Sequence, residues 1–95
     1  MIKNFGDRRT EKAFHRIFSK QIPEDLAKRM YMKMKALNTA VSINDLRTPP
    51  SNHLESLNGF KEERYSVRVN QQWRICFTWD AEKGEASDVK LEDYH

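Results

Sequence analysis

Two neighbouring stretches alternate apolar and polar residues so regularly that they constrain the fold more than any other feature. Because side chains alternate across a β-strand, each stretch predicts a strand with one apolar face. The three residues between them, Asn70-Gln71-Gln72, can close the two strands into an antiparallel hairpin. Other elements must therefore cover the apolar face, which consists of Tyr65, Val67 and Val69 in the first strand and Trp73, Ile75, Phe77 and Trp79 in the second.

The stretch before this hairpin predicts two helices. Apolar residues at helical spacing predict a first helix from about residue 10 to residue 20. Pro23, followed by two acidic residues, begins a second helix over residues 23–40, because proline suits the first helical position and acids favour the positive end of the helix dipole. Its methionines fit either a core or a groove for a partner, and its basic outer side fits either solvent or nucleic acid. The apolar stripe is Leu26, Met30, Met34, Leu37 and Val41, and the basic residues are Lys28, Arg29, Lys33 and Lys35.

Three further strands complete the predicted sheet. Residues 1–5 alternate well enough for a first strand, residues 54–58 form a short strand before the hairpin, and a last strand runs from about residue 87 to residue 95. Residues 42–45 resemble a capping box and predict one helical turn. The element order β-α-α-β-β-β-β predicts a single α+β domain over residues 1–95, with two helices over one face of a mostly antiparallel sheet.

Composition limits the classes of function that the chain can have. Its 95 residues are 38% hydrophobic and 33% charged, with a formal net charge of +3 at pH 7. No window approaches the ~20 apolar residues of a membrane span, and no long apolar stretch follows Lys3, so we expect a cytoplasmic protein without a membrane partner. The single Cys76 excludes an internal disulfide and, within an apolar strand, predicts a buried thiol. The mild basicity permits an anionic partner without requiring one.

Strand parity puts two arginines together on the second face of the sheet. With the apolar residues of the hairpin facing the helices, Arg68 and Arg74 must both point to the opposite, open face. Guanidinium groups keep their charge and match the geometry of phosphate, so this pair is a candidate anion site. The alternative is that both arginines are solvated or paired with Glu55 or Glu92.

Asp93-Tyr94-His95 directly follows the apolar part of the last predicted strand. The three residues offer a carboxylate, a phenol and an imidazole, all of which can take part in proton transfer. His95 is a candidate acid–base group because histidine titrates near neutral pH, and the alternative for a terminal histidine is disorder. Asp93 and His95 have the parity of core residues, but parity weakens at a strand end. No ligand spacing predicts a metal site, although Asp93, His95 and His53 could in principle meet.

Two of these features together resemble a known family. The hairpin sequence RVNQQWRICF at residues 68–77, with the closing Asp93-Tyr94-His95, is similar to the HigB-type plasmid-maintenance killer toxins of the RelE superfamily. The similarity runs the whole length of the chain and includes residues 1–5, DLRTPPSN at residues 45–52 and LESL at residues 54–57. The resemblance implies a RelE-like fold and a bacterial toxin that enters the ribosomal A site and cuts messenger RNA there.

The resemblance also implies roles for particular residues. Such toxins use the 2′-OH of the RNA as nucleophile on the adjacent phosphate, so they need a base, an acid and cations but no cofactor. Matched position by position, Arg68 and Arg74 take the phosphate-stabilising role. Asp93, Tyr94 and His95 take the acid–base and orienting roles, with the proton on His95 and with Tyr94 stacking on a base or holding the substrate.

One departure from the family pattern concerns a loop cation. Many relatives carry a lysine next to the glycine that is Gly59 here, whereas this chain has Asn58, which cannot supply a cation. Lys61 or Arg64, a few residues on, could replace it in contacts with RNA or the ribosome. His53 lies near a histidine or arginine that some relatives use and is a further candidate.

The resemblance implies several partners and leaves two alternatives open. The expected partners are the 70S ribosome with its messenger RNA and a HigA-like antitoxin with a helix-turn-helix domain, through which alone the toxin reaches operator DNA. The first alternative is a ParE-like gyrase poison, which shares the fold and needs no nuclease site. The second is a non-catalytic nucleic-acid-binding domain, which binds in a salt-sensitive manner without cleaving the strand.

Overall fold

The computed structural model describes residues 1–17 and 19–93, so Phe18, Tyr94 and His95 lie outside the described part of the chain. It confirms the predicted α+β class, because helices pack against a fully antiparallel four-stranded sheet in the order β1-β2-β3-β4. The helices are α1 (Arg8–Phe14) and α2 (Glu24–Thr39), short 3-10 helices cover Ile43–Arg47 and Pro50–Asn52, and the strands are β1 (Glu55–Leu57), β2 (Arg64–Arg68), β3 (Trp73–Asp80) and β4 (Glu85–Asp93).

The hairpin of β2 and β3 has the predicted parity. Tyr65 pairs with Phe77, and Val67 pairs with Ile75. Tyr65 is partly buried against the core and the other three belong to it, which confirms the apolar face. Asn70 closes the turn, since its side-chain Oδ1 accepts hydrogen bonds from the N–H groups of residues 72 and 73 at 2.8 Å each. An Asx-type turn of this kind fixes the register without glycine.

The prediction of a regular strand at residues 1–5 was wrong. This segment runs parallel to β4 through two isolated bridges, Ile2 to Ala86 and Phe5 to Val89. Between them the side chain of Asn4, rather than its backbone, accepts the N–H of Asp88 at 2.6 Å. Backbone hydrogen bonds join the segment to β4 on either side of this point. Between the two bridges, however, β4 is irregular, with a φ of 51° at Asp88 and a register shift against β3, so the segment lines the edge of the sheet without forming a continuous ladder.

Helix α1 is shorter than predicted. It begins after Asp7, whose side chain accepts the N–H of Thr10 at 2.9 Å as an N-cap. It ends at Phe14 because Arg16 has a φ of 59°, a left-handed conformation that a helix cannot continue through. The predicted extension to residue 20 was therefore wrong, although the helix itself is present.

The core lies between α2 and the sheet and confirms most of the predicted stripe. Met30, Met34 and Leu37 are fully buried, so the methionines are core residues rather than a partner groove. Val41 lies beyond the helix and is 80% exposed, so its inclusion in the stripe was wrong. The predicted capping box is also present, with Ser42 and Asp45 each accepting a backbone N–H. Within the described residues, no helix is both long and apolar enough to cross a membrane.

Candidate functional site

The second face of the sheet is not the open face that strand parity predicted. Arg64, Ser66, Arg74 and Cys76 all point to this face and are at most 6% exposed. Residues before β2 contact both Arg64 and Arg74, and each of these two arginines also pairs with an acidic side chain. Parity gave the direction of these side chains correctly, but it could not show that neighbouring segments cover them.

Arg74 is enclosed in a dense set of contacts. Its Nε donates to the Oγ of Ser66 at 2.7 Å, and its Nη2 donates to the backbone oxygens of Ser66 and of His53. Its Nη1 lies 3.9 Å from a carboxylate oxygen of Glu55, the partner that the sequence offered as an alternative to an anion. A guanidinium held in this way fixes the loop at His53 against β2 and β3.

Arg64 is also committed to protein contacts. It forms an ion pair with Asp88 at 3.2 Å and donates to the side chain of Thr78 at 3.0 Å and to the backbone oxygen of Asp88 at 3.2 Å. Together with Lys61 it lines a shallow hollow whose wall also carries three acidic side chains. The acids of that hollow are Glu62, Asp88 and Glu92.

Arg68, the partner of Arg74 across the hairpin, has different surroundings. It is half-buried, and its Nε donates to the backbone oxygen of Asn70 in its own turn at 3.2 Å. It opens into a cleft of about 390 Å³ between α2, the loop after the second 3-10 helix and the β2–β3 turn. We call this the basic cleft; its described lining residues are Arg29, Met32, Lys33, Ser51, His53, Arg68, Val69, Asn70 and Gln71.

The basic cleft holds positive charge without compensation by acidic lining residues. Two arginines, one lysine and one histidine line it, and none of its described lining residues is Asp or Glu. The chain as a whole has nearly balanced charge, with 14 acidic and 17 basic residues, whereas the described lining of this cleft has three cations and no acid. Such a cavity attracts anions of phosphate size.

His53 enters the cleft from a constrained turn. It has a φ of 44°, its N–H donates to the backbone oxygen of Pro50 at 3.1 Å, and its own oxygen accepts from Arg74. The imidazole is exposed while the backbone is held at both polar groups. The structure therefore brings the predicted residues His53 and Arg68 together and gives Arg74 a supporting position behind them.

Lys33 is a cleft residue from the basic outer side of α2, for which the sequence left solvent and nucleic acid as alternatives. It is half-buried on α2, and its Nζ donates to the Oδ1 of Asn52. Burial, and next the positive charge of Arg29 one turn away, lower the pKa of Lys33 below its usual value. The spacing of four residues between Arg29 and Lys33 was the available sequence signal, because it puts both on one side of the helix.

Asp93 lies at the end of β4, next to the turn that borders the cleft. It pairs with Trp73 across the sheet, which gives it the parity of the helix-covered side, and its Oδ2 accepts from the Nε2 of Gln72 at 3.4 Å. Helix α1 anchors the strand just before it, since the Oγ1 of Thr10 accepts the N–H of Leu91 at 3.0 Å. The predicted residues Tyr94 and His95 follow directly and lie outside the described residues.

Cys76 has the properties of a core thiol. Burial, followed by a hydrogen bond to and the negative charge of Glu92, raises the pKa of Cys76 to about 12. The thiolate is therefore a negligible fraction near neutral pH, and the side chain is not a nucleophile. In residues 1–17 and 19–93, no three His, Cys, Asp or Glu side chains lie close enough to hold a metal ion together.

Comparisons with known proteins agree with the family resemblance that the sequence suggested. The family model described as the RelE-like toxin of the type II toxin–antitoxin system HigB matches residues 3–95. The chain belongs to the HigB-like toxins. Because such a toxin is one half of a toxin–antitoxin pair, membership implies an antitoxin partner.

Individual relatives show how far the similarity of this HigB-like toxin extends. The Endoribonuclease HigB of Proteus vulgaris is 30% identical over 95 residues, which is the full length of both chains. The Toxin HigB-1 of Vibrio cholerae is 38% identical over 58 residues, which cover 61% of each chain. An uncharacterized protein of Haemophilus influenzae is 36% identical over 74 residues, covering 78% of this chain and 71% of its own length.

Proposed function

We propose that this HigB-like toxin is a ribosome-dependent endoribonuclease that cuts translated messenger RNA in the ribosomal A site. The observation that carries the proposal is the basic cleft, which Arg68 and His53 both line and which has no acidic side chain among its described lining residues. The full-length similarity to a relative named as an endoribonuclease supports the same conclusion.

The proposed reaction needs no cofactor, because the RNA supplies the nucleophile. The 2′-OH attacks the adjacent phosphate, the P–O5′ bond breaks, and the products are a 2′,3′-cyclic phosphate and a 5′-OH. A base removes the 2′ proton, an acid protonates the 5′ oxygen, and cations stabilise the charge that grows on the phosphorane. A positioned acid or base contributes about 10²–10⁴-fold to such a step.

The residues of the chain divide these roles as follows in the proposal. Arg68 contacts the reacting phosphate from the cleft, and His53 lies beside it as a second proton-transfer or phosphate-binding group. His95 carries the transferred proton, Asp93 orients it, and Tyr94 holds or stacks on a base. Arg74 acts through His53, whose backbone oxygen it binds, because its guanidinium is occupied by protein contacts.

Dependence on the ribosome follows from the shallow geometry of the site. The cleft and the end of β4 offer few groups that could hold a flexible RNA strand in line for attack. The ribosome supplies that alignment in the A site, and alignment alone can account for about 7–11 kcal/mol of a barrier. We therefore expect slow cleavage of naked RNA by the isolated toxin.

The proposed partners follow from the same activity. A toxin that stops translation must be held inactive by its antitoxin, for which we propose a HigA-like protein with a helix-turn-helix domain. That domain accounts for operator binding by the complex, so the toxin itself need not contact DNA. Lys61 lines the hollow that also holds Glu62, Asp88 and Glu92, rather than the basic cleft. We therefore assign Lys61 a peripheral contact with the ribosome.

The test is brief induced expression in bacteria, with messenger RNA mapped by primer extension for the wild type and for His95→Ala side by side. Growth arrest with cuts inside translated codons, both lost in the variant, is the expected result. Growth arrest with intact messenger RNA in both strains contradicts the nuclease and directs attention to gyrase. Salt-sensitive RNA binding without cleavage points instead to a binding domain.

A further inference from the structure

Lys33 faces the basic cleft from α2, opposite the β2–β3 turn that carries Arg68. We propose that Lys33 binds an RNA phosphate in this cleft and so acts with Arg68 as the second cation of the site. This inference rests on the proposed function, since it assigns a further substrate-binding residue to the same cleft. The loop cations Lys61 and Arg64 line a different hollow, so they do not supply this second cation.

Asn52 holds the Lys33 ammonium in place. The amide oxygen of Asn52 accepts from Lys33, while its Nδ2 donates to the backbone oxygens of Leu46 at 3.0 Å and Thr48 at 3.3 Å. Asn52 is 3% exposed, so this amide is itself fixed by the loop. An exposed lysine loses side-chain entropy when it binds a ligand, and a lysine that is already held loses less. Two of the three ammonium donors are left for a ligand.

The surroundings of Lys33 favour an anion. Arg29 on the same helix, and His53 and Arg68 on the facing segments, are the titratable or charged side chains that share its cleft. No described carboxylate lies within ion-pairing distance of Lys33, and burial and Arg29 lower its pKa. Like charges one helical turn apart are unfavourable in the free protein. A bound phosphate would relieve that repulsion, so the arrangement is easier to explain with a ligand than without one.

The direct test measures binding without cleavage. The probe is a short single-stranded RNA with 2′-O-methyl groups, which removes the nucleophile, and its affinity is followed by fluorescence anisotropy over a range of salt concentrations. We expect Lys33→Met to weaken binding on the order of tenfold, because it removes a charged hydrogen bond. The slope of log K against log salt should fall by about 0.7, the value for one phosphate contact on a single strand.

Two matched variants keep the result specific. Lys35→Met removes the same charge from an exposed position on the same helix and should leave the affinity and the salt slope unchanged. Lys33→Arg should retain most of the affinity, because it keeps the charge. Thermal unfolding of each variant shows that the fold is intact. Wild-type affinity in Lys33→Met, an equal loss in Lys35→Met, or no RNA binding by the wild type would each overturn the proposal.

A pH series separates a binding role from a structural one. As the pH rises toward the usual range for lysine, the wild type should lose affinity for the probe, because the lowered pKa of Lys33 lets it give up its proton early. Lys33→Arg should not lose affinity, because guanidinium stays charged. Cleavage on programmed ribosomes is measured in parallel. If the wild type does not cleave RNA on programmed ribosomes, the proposed function is refuted. If the wild type cleaves but Lys33→Met binds the probe as tightly as the wild type, only this inference is refuted.

Discussion

Replacing Arg74 with methionine should destabilise the protein far more than the same replacement at Arg68, although the two residues face each other across the hairpin. Arg74 is 5% exposed and donates to Ser66 and to the backbone oxygen of His53. Arg68 is half-buried, and the structure gives it a hydrogen bond to its own turn at Asn70.

The magnitude follows from the groups that each substitution leaves unpaired. Removing Arg74 deprives a buried hydroxyl and a buried carbonyl of their charged donor, and removing one partner of such a buried network costs on the order of 3–5 kcal/mol. The contact with Glu55, at 3.9 Å and half-exposed, adds less than about 1 kcal/mol. Losing Arg68 costs less than about 1.5 kcal/mol, because water can replace its contact.

Urea unfolding of the wild type, Arg74→Met and Arg68→Met measures the difference directly. Thermal unfolding gives a second measure. In a domain of this size about 1 kcal/mol corresponds to 4–8 °C in the melting temperature, so a loss of about 3 kcal/mol in Arg74→Met should lower its melting temperature by at least about 12 °C. The slope against urea should be unchanged if the folded state is otherwise intact. Equal losses in the two variants, or a smaller loss for Arg74→Met, would refute the assignment of Arg74 to structural support.

Further predictions concern separate parts of the molecule. Ser42→Ala should cost about 1 kcal/mol in urea unfolding, because it removes the N-cap of the first 3-10 helix. Cys76 should react with a thiol reagent only at urea concentrations that unfold the chain, since burial raises its pKa to about 12; rapid labelling of the native protein would contradict this. Lys33 should make stability rise with pH just below the usual lysine pKa. There the unfolded chain holds more protons than the folded one, so the free energy of unfolding should increase with pH, and Lys33→Met should lose that increase. Isolated toxin should cut naked RNA much more slowly than RNA on programmed ribosomes, and similar rates would exclude the positioning role of the ribosome.

Periodicity predicted those parts of the fold in which one face is buried. The apolar faces of β2 and β3, and the stripe of α2 as far as Leu37, were correct because burial repeats every two or every 3.6 residues. The strand at residues 1–5 was wrong because β4 is irregular at Asp88, where φ is 51°, so the segment forms two isolated bridges instead of a continuous ladder. The end of α1 was wrong because the left-handed conformation at Arg16 has no signature in apolar spacing.

The candidate site was predictable in part for a related reason. Parity put Arg68 and Arg74 on one face, and the register confirms it. Which of the two is available to a ligand depends on segments distant in sequence: the loop at His53 binds Arg74, while the β2–β3 turn leaves Arg68 at the cleft. The sequence put Lys33 on the basic side of α2 but could not single it out as a site residue, because only tertiary packing brings Asn52 and the loop after it against this helix.

The distribution of acidic residues is a better guide to the anion site than the net charge. A net charge of +3 is too small to indicate a nucleic-acid partner, and several arginines and lysines of the chain are neutralised locally. Arg64 and Arg74 lie beside Asp88 and Glu55, so their charge stabilises the fold. Arg29, Lys33 and Arg68 share a cleft whose described lining holds no acid, so their charge is left for a ligand. The basic cleft is thus a place where several cations meet without an acid, and removing one cleft cation should weaken RNA binding more than removing a neutralised one.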